Sequence, residues 1–208
     1  MITTTEKDIL FVIDAQVDFI TGVLANLDPV YREYIINTTI PNLVKLIKQH
    51  PGQVIATHDT HFTKLQVSSA WPPEPGVAYE DSLENKYLPV PHCIKLTEGW
   101  ELVPEVLAAC QEKNKDNAIK FRAVDKYTFG YNKWADFLDF KDYKDFDRII
   151  IAGYCTDICV ISNALILRAL FPNKEIIIVE NCCAGVTPEK HNAAIEVMKS
   201  CQILVETV

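Results

Sequence analysis

The feature that most constrains this chain is a recurrence of short, nearly unbroken apolar runs separated by stretches with helical spacing. ILFVID (9 to 14) is apolar up to its final aspartate, and VIAT (54 to 57), AIKF (118 to 121), RIIIAG (148 to 153), EIIIVE (175 to 180) and QILVETV (202 to 208) repeat that character. A strand with one wet face alternates apolar and polar residues, so a run that is apolar throughout belongs to a strand covered on both sides. Between most of the runs lie Val30 to Gln49, Trp100 to Cys110, Asp157 to Leu170 and Pro188 to Ser200, each spaced as a helix. The pattern predicts an α/β domain, a three-layer α-β-α sandwich around a mostly parallel, six-stranded sheet. No Gly/Ser linker, charge block or internal repeat divides the 208 residues, so a single domain over 1–208 is expected.

Charge narrows the partners. Twenty Lys and Arg face 28 Asp and Glu, a net −8 that repels nucleic acid in the absence of a basic patch, and no run approaches the length of a membrane span. The N-terminal MITTTEKDILFVID lacks the basic flank and cleavage site of a signal peptide and reads as the entry to the first strand, which predicts a cytoplasmic protein. Seven cysteines, four of them (Cys155, Cys159, Cys182, Cys183) in or just after strand-like runs, are expected as thiols.

Chemistry-bearing residues gather where strands end. Gly153 closes a strand and Thr156 or Asp157 opens a helix, which puts Cys159 in the first turn, where the helix dipole and free N–H groups favour a thiolate and an oxyanion. Cys155 is the rival nucleophile on spacing, and the plainer alternative is that both fill space in the core. Asp14, with Gln16 and Asp18 behind it, sits at the carboxyl end of the first strand, where it can take a thiol proton or simply cap a turn. HDTHF supplies Asp59 and His61 after the second strand. His92 lies at the far end of an excursion from Phe62 to Pro91, and Glu84 on that excursion is a fourth oxygen donor. Together they suit Zn²⁺, Fe²⁺ or Mn²⁺, or else cap strands and bond within the loop. Lys120 and Lys126 bracket the region after the third strand core, and Lys126, just before Thr128, Phe129 and Gly130, is expected to project from a loop between a carboxylate and a thiol, the alternative being an exposed lysine. Thr187 as cap with Pro188 at the first helical position marks the start of the last helix.

The series FVIDAQVDF, ATHDTHF, LPVPHCIKLTEGWEL, VDKYTFG, GYCTDICVISNAL and VENCCAGVTPEKHNAAIEVM resembles the isochorismatase-like cysteine hydrolases, especially their nicotinamidase-like branch, from about Asp8 to the C-terminus. The resemblance implies Asp14, Lys126 and Cys159 as the catalytic group, with Cys159 the nucleophile. It also implies a cis peptide between Tyr154 and Cys155 beside an oxyanion hole at Tyr154, Cys155 and Cys159, and one divalent ion, zinc foremost, held by Asp59, His61, His92 and Glu84. The implied reaction is hydrolysis of a small carboxamide, nicotinamide to nicotinate and ammonia, by a homo-oligomer. An N-carbamoyl amide or an isochorismate-like ether is the alternative substrate, and a non-catalytic metal- or metabolite-binding protein the alternative class. The segment from Thr63 to Glu80, with Trp71 and three prolines, is longer than in compact nicotinamidases and is expected to reshape the pocket.

Overall fold

The computed structural model describes residues 2–69, 77–114, 120–138 and 145–208. Six strands, β1 (Asp8–Ile13), β2 (Gln53–Asp59), β3 (Phe121–Lys126), β4 (Arg148–Tyr154), β5 (Glu175–Ala184) and β6 (Leu204–Glu206), form one sheet in the order β3-β2-β1-β4-β5-β6, every neighbour parallel. The helices are α1 (Val17–Ile20), α2 (Pro29–Tyr34), α3 (Ile40–Gln49), α4 (Lys64–Val67), α5 (Pro104–Gln111), α6 (Trp134–Leu138), α7 (Ile161–Leu170) and α8 (Pro188–Ser200). The predicted three-layer α/β/α sandwich with a six-stranded parallel sheet is the observed one.

From β1 the chain steps outward through β2 to β3, then returns to β4 beside β1 and steps the other way to β6. Right-handed crossovers therefore put the helices of the two halves on opposite faces, and the reversal leaves a crevice at the carboxyl ends of β1 and β4. The central strands are buried throughout: Leu10 to Ile13, Ile149 to Ile151 and Ile176, Ile178 and Val179 are closed to solvent. Trp134 is also fully buried, edge-on to Phe11 at 4.9 Å. Gly153 adopts φ +129°, and a Cβ there would lie 2.1 Å from the Ile13 carbonyl oxygen, so only glycine lets β4 press this closely on β1 next to the crevice.

Several boundaries differ from the expected ones for physical reasons. The third strand is described over 121–126, while positions 118 and 119 of the expected 118–121 run lie outside the described residues; it is a sheet edge, half-exposed, so it continues through polar Arg122 and Asp125. Lys126 consequently ends a strand and does not project from a loop. The helix expected from Trp100 begins at Pro104, while Trp100 sits in a single 3-10 turn, stacked on His58. The stretch from Val30 to Gln49 is α2 and α3 joined through a wide π turn at Ile35–Thr39. The excursion after β2 carries α4, fixed by a reciprocal cap between Thr63 and Gln66, and two 3-10 turns at Tyr79–Asp81 and Glu84–Lys86; Trp71 and the neighbouring prolines lie outside the described residues. All seven cysteines are free thiols.

At the amino-terminal edge of the sheet, buried Asp8 takes a two-pronged contact from Arg148, 2.9 Å from Nε and 2.6 Å from Nη2, which ties β1 to β4. His50, fully buried just before β2, makes a 3.1 Å hydrogen bond with the Gln53 carbonyl through Nε2, while its Nδ1 has no partner. Among the described residues no helix is long and apolar enough to cross a membrane.

Candidate active site

Parallel strands deliver their last residues to one edge, and the chemistry collects there. Asp14 follows β1 in the left-handed region at φ +43°, Asp59 ends β2, and Lys126 ends β3 in register opposite Asp59. Cys159 lies in a π turn (Thr156–Val160) that opens the helix after β4. The Tyr154–Cys155 peptide just before that turn is cis.

Lys126 is the hub. Its ammonium, closed to solvent, lies 2.7 Å from Asp14 Oδ2, 3.2 Å from Asp59 Oδ1 and 3.6 Å from Cys159 Sγ, and donates to the Thr128 carbonyl at 3.1 Å. At Asp14, Oδ2 faces the Lys126 ammonium in a close ion pair and Oδ1 accepts a 2.6 Å bond from the Thr57 hydroxyl. Burial raises the Asp14 pKa and Lys126 opposes the rise; for Asp59 the lysine and His61 win over burial and hold the carboxyl well below its ordinary range. Burial also pushes the Cys159 thiol well up, with Lys126 pulling the other way. Burial therefore keeps the thiol protonated at rest, and Lys126 is placed to stabilise negative charge on either the Asp14 carboxyl or the Cys159 sulfur.

Asp59 also faces a second group. Its Oδ2 lies 3.2 Å from His61 Nε2 and 3.6 Å from His92 Nε2, and Glu84 lies 3.6 Å from His61 and 3.5 Å from His92. One ligand atom from each of Asp59, His61, Glu84 and His92 falls within 4.8 Å of the others, so the four can coordinate a divalent metal. Ligands about 2.0–2.2 Å from an ion are roughly 3.0–3.5 Å apart in octahedral or tetrahedral arrangements, which these separations match. His92 Nδ1 bonds the Val90 carbonyl at 2.8 Å, which fixes the ring and leaves Nε2 turned to the group. Burial alone would lower the His92 pKa, yet Asp59 and Glu84 raise it to about 10, a measure of how strongly this pocket favours positive charge.

The structure brings Asp14, Lys126 and Cys159 together and sets Asp59, His61, Glu84 and His92 beside them. Cys155 caps the π turn, its carbonyl accepting from Ile158 and Val160, and Lys120 bonds the Pro51 carbonyl outside the site. Four supporting residues had no role assigned from sequence. Gln16 clamps the end of β2, donating from Nε2 to the Asp59 carbonyl and accepting the Asp59 N–H at Oε1. Asp18 accepts the Cys93 N–H at 2.7 Å and so anchors the loop that carries His92. Thr57 orients Asp14, and Asn163 donates to the carbonyls of Cys159 and Phe129, tying the turn that carries Cys159 to the segment after Lys126. The usable signal was the D-x-Q-x-D spacing itself: three polar residues directly after a fully buried strand, all of them buried.

A cavity of about 1220 Å³ is lined by both Cys159 and the four metal-ligand candidates. A buried cysteine, lysine and aspartate at the carboxyl edge of a parallel sheet, sharing that cavity with a metal-ligand cluster, support a hydrolase. The family model described as "Isochorismatase domain" matches residues 8–208, and the chain belongs to this family. Among solved structures it is similar to the nicotinamidase from Bacillus subtilis, at 25% identity over 96% of this chain and 99% of that one, with TM-score 0.70. It is also similar in fold to a pyrazinamidase of Pyrococcus horikoshii in complex with zinc (21% identity, 97% and 99% covered, TM-score 0.62) and to the N-carbamoylsarcosine amidase from Thermoplasma acidophilum (19%, 97% and 96%, TM-score 0.61). No curated protein sequence matches.

Proposed function

We propose that this protein hydrolyses a small carboxamide to the carboxylate and ammonia through a Cys159 thioester, with nicotinamide as the leading substrate. The observation that carries the reading is the single cavity onto which both the Cys159 thiol and the Asp59, His61, Glu84 and His92 cluster open. Likeness to a nicotinamidase over nearly the whole chain supports the substrate class.

In this reading Asp14 takes the Cys159 proton as sulfur attacks the amide carbon, and Lys126 holds the negative charge that passes between carboxylate and sulfur. Backbone N–H groups around the Tyr154–Cys155 peptide and Cys159 receive the oxyanion. Asp14 returns its proton to the departing nitrogen, releasing ammonia, then takes a proton from the water that cleaves the thioester, so product and thiol are regenerated together. Asp59, His61, Glu84 and His92 would hold a divalent ion, which would supply a Lewis-acidic anchor for a substrate lone pair such as a ring nitrogen. Two imidazoles and two carboxylates suit zinc, the ion with which the Pyrococcus pyrazinamidase is in complex, with iron and manganese next.

Ammonia release is to be measured with nicotinamide, pyrazinamide, an N-carbamoyl amino acid and isochorismate, with Cys159→Ala as control. Turnover of the aromatic amides that vanishes in the control is the expected result. Cysteine-dependent turnover of isochorismate with none of the amides would overturn it.

A further inference from the structure

A single-ring amide such as nicotinamide, seated at Cys159, would cover only part of this cavity. Drug-sized ligands occupy roughly 300–1,000 Å³, and this cavity reaches about 1220 Å³. Fourteen large apolar side chains are exposed among the described residues, and six of them, Val23, Leu27, Val77, Leu83, Tyr87 and Phe129, line this one cavity. They come from three separate segments, after α1, on the excursion between β2 and β3, and after β3. Leu27 is 98% exposed, Tyr87 84% and Leu83 68%. Scattered surface leucines need no explanation, whereas a rim assembled from three loops around a reactive cysteine does.

The lining joins buried and exposed groups: the Cys159 thiol and the metal-ligand candidates Asp59, His61 and His92 are buried, whereas Leu27, Leu83 and Tyr87, with the polar Asp28 among them, are open to solvent. A ligand that satisfies both groups is amphiphilic, with a carboxamide head and an apolar body longer than one ring. From this continuity of rim and catalytic cavity we propose that the protein acts on primary carboxamides bearing an extended alkyl or aryl acyl group, the rim made by Leu27, Leu83 and Tyr87 selecting for length. The proposal rests on the amidohydrolase reading for its chemistry, and on the rim alone for its selectivity.

Two arms separate those foundations. In the first, kcat/KM for ammonia release is compared over primary amides from butyramide to decanamide and over benzamide and biphenyl-4-carboxamide. In the second, calorimetry follows binding of the matching carboxylates to Cys159→Ser, which requires no turnover. Each methylene that reaches the rim is expected to tighten binding about fourfold until the rim is covered, and Leu27→Ser/Tyr87→Ser, at sites open to solvent, is expected to flatten that slope. Length-dependent binding without turnover of any amide would remove the hydrolytic reading and leave the site's ligand class standing. Affinity that does not change with length, or a slope unaltered in the double variant, would overturn the proposal. A double variant that binds like the parent yet loses self-association in sedimentation would instead assign the rim to contacts between copies of the chain.

Discussion

Replacing Lys126 by methionine is the sharpest test of the charge arrangement, because the lysine is closed to solvent and serves two buried carboxylates at 2.7 and 3.2 Å. Removing one partner of a buried ion pair costs roughly 3–5 kcal/mol, and two partners place this case at the upper end. In a chain of this length each kcal/mol moves Tm by about 2–4 °C, so a loss of roughly 10–20 °C is expected. The loss must also depend on pH. Burial already raises Asp14 and Lys126 restrains it, so without the lysine the folded pKa climbs further above the unfolded value of 3.8. A folded pKa above the unfolded one contributes stability that is present at low pH and lost as pH rises through the folded pKa. The variant's deficit is therefore smallest near pH 4 and grows toward pH 8. Urea unfolding followed by circular dichroism across that range measures it, and Asp14→Asn combined with Lys126→Met should restore about 2 kcal/mol relative to the sum of the single changes. A deficit below about 1 kcal/mol at neutral pH, or one equal at pH 5 and pH 8, would refute the reasoning.

Three further outcomes are expected. Cys159→Ala abolishes the covalent adduct that acid quenching traps with an amide substrate, whereas Cys155→Ala retains it; an adduct on the first variant reverses the assignment. Protein purified without chelator carries close to one equivalent of zinc, iron or manganese per chain, His61→Ala/His92→Ala loses it, and Asp18→Asn weakens it by releasing the Cys93 loop; equal metal content in the double variant and the parent removes the site. Burial lowers the His50 pKa from 6.5 to about 4, so the unfolded chain takes up a proton between those values and the folded one does not. Stability therefore falls as pH drops through that window, by up to about 3 kcal/mol, and His50→Gln flattens the fall; an unchanged slope would show that the imidazole is not its source.

The sequence made the central strands legible because burial on both faces leaves no room for polar residues, and the strand ends because Asp14 and Asp59 interrupt such runs abruptly. Edge strands obey a weaker rule, and β3 continues beyond its apolar run for that reason: one open side admits Arg122 and Asp125. The wide π turns in the two long helical stretches left no mark on the spacing of apolar residues. Gln16 and Asp18 were visible as residues and unassigned as partners, since their hydrogen bonds reach residues 43 and 75 positions away. Local pattern reports local structure, and it cannot say which distant backbone a side chain will meet. Glu84 was legible as a fourth oxygen donor, and the fold of the excursion after β2 sets it beside His61 and His92 as expected.

A sheet whose strands all run one way has two unlike poles, and this molecule assigns them different work. Asp8 with Arg148, and His50 with Gln53, sit at the amino-terminal pole, while the reactive cluster occupies the opposite one. A six-residue strand such as β1 separates the poles by roughly 20 Å, far beyond the reach of a hydrogen bond or a direct ion pair. Robustness and reactivity can therefore be tuned by separate substitutions. Acid tolerance can be improved at His50 without disturbing the cysteine, and substrate preference can drift in the loops around the cavity while the opposite rim keeps the scaffold intact.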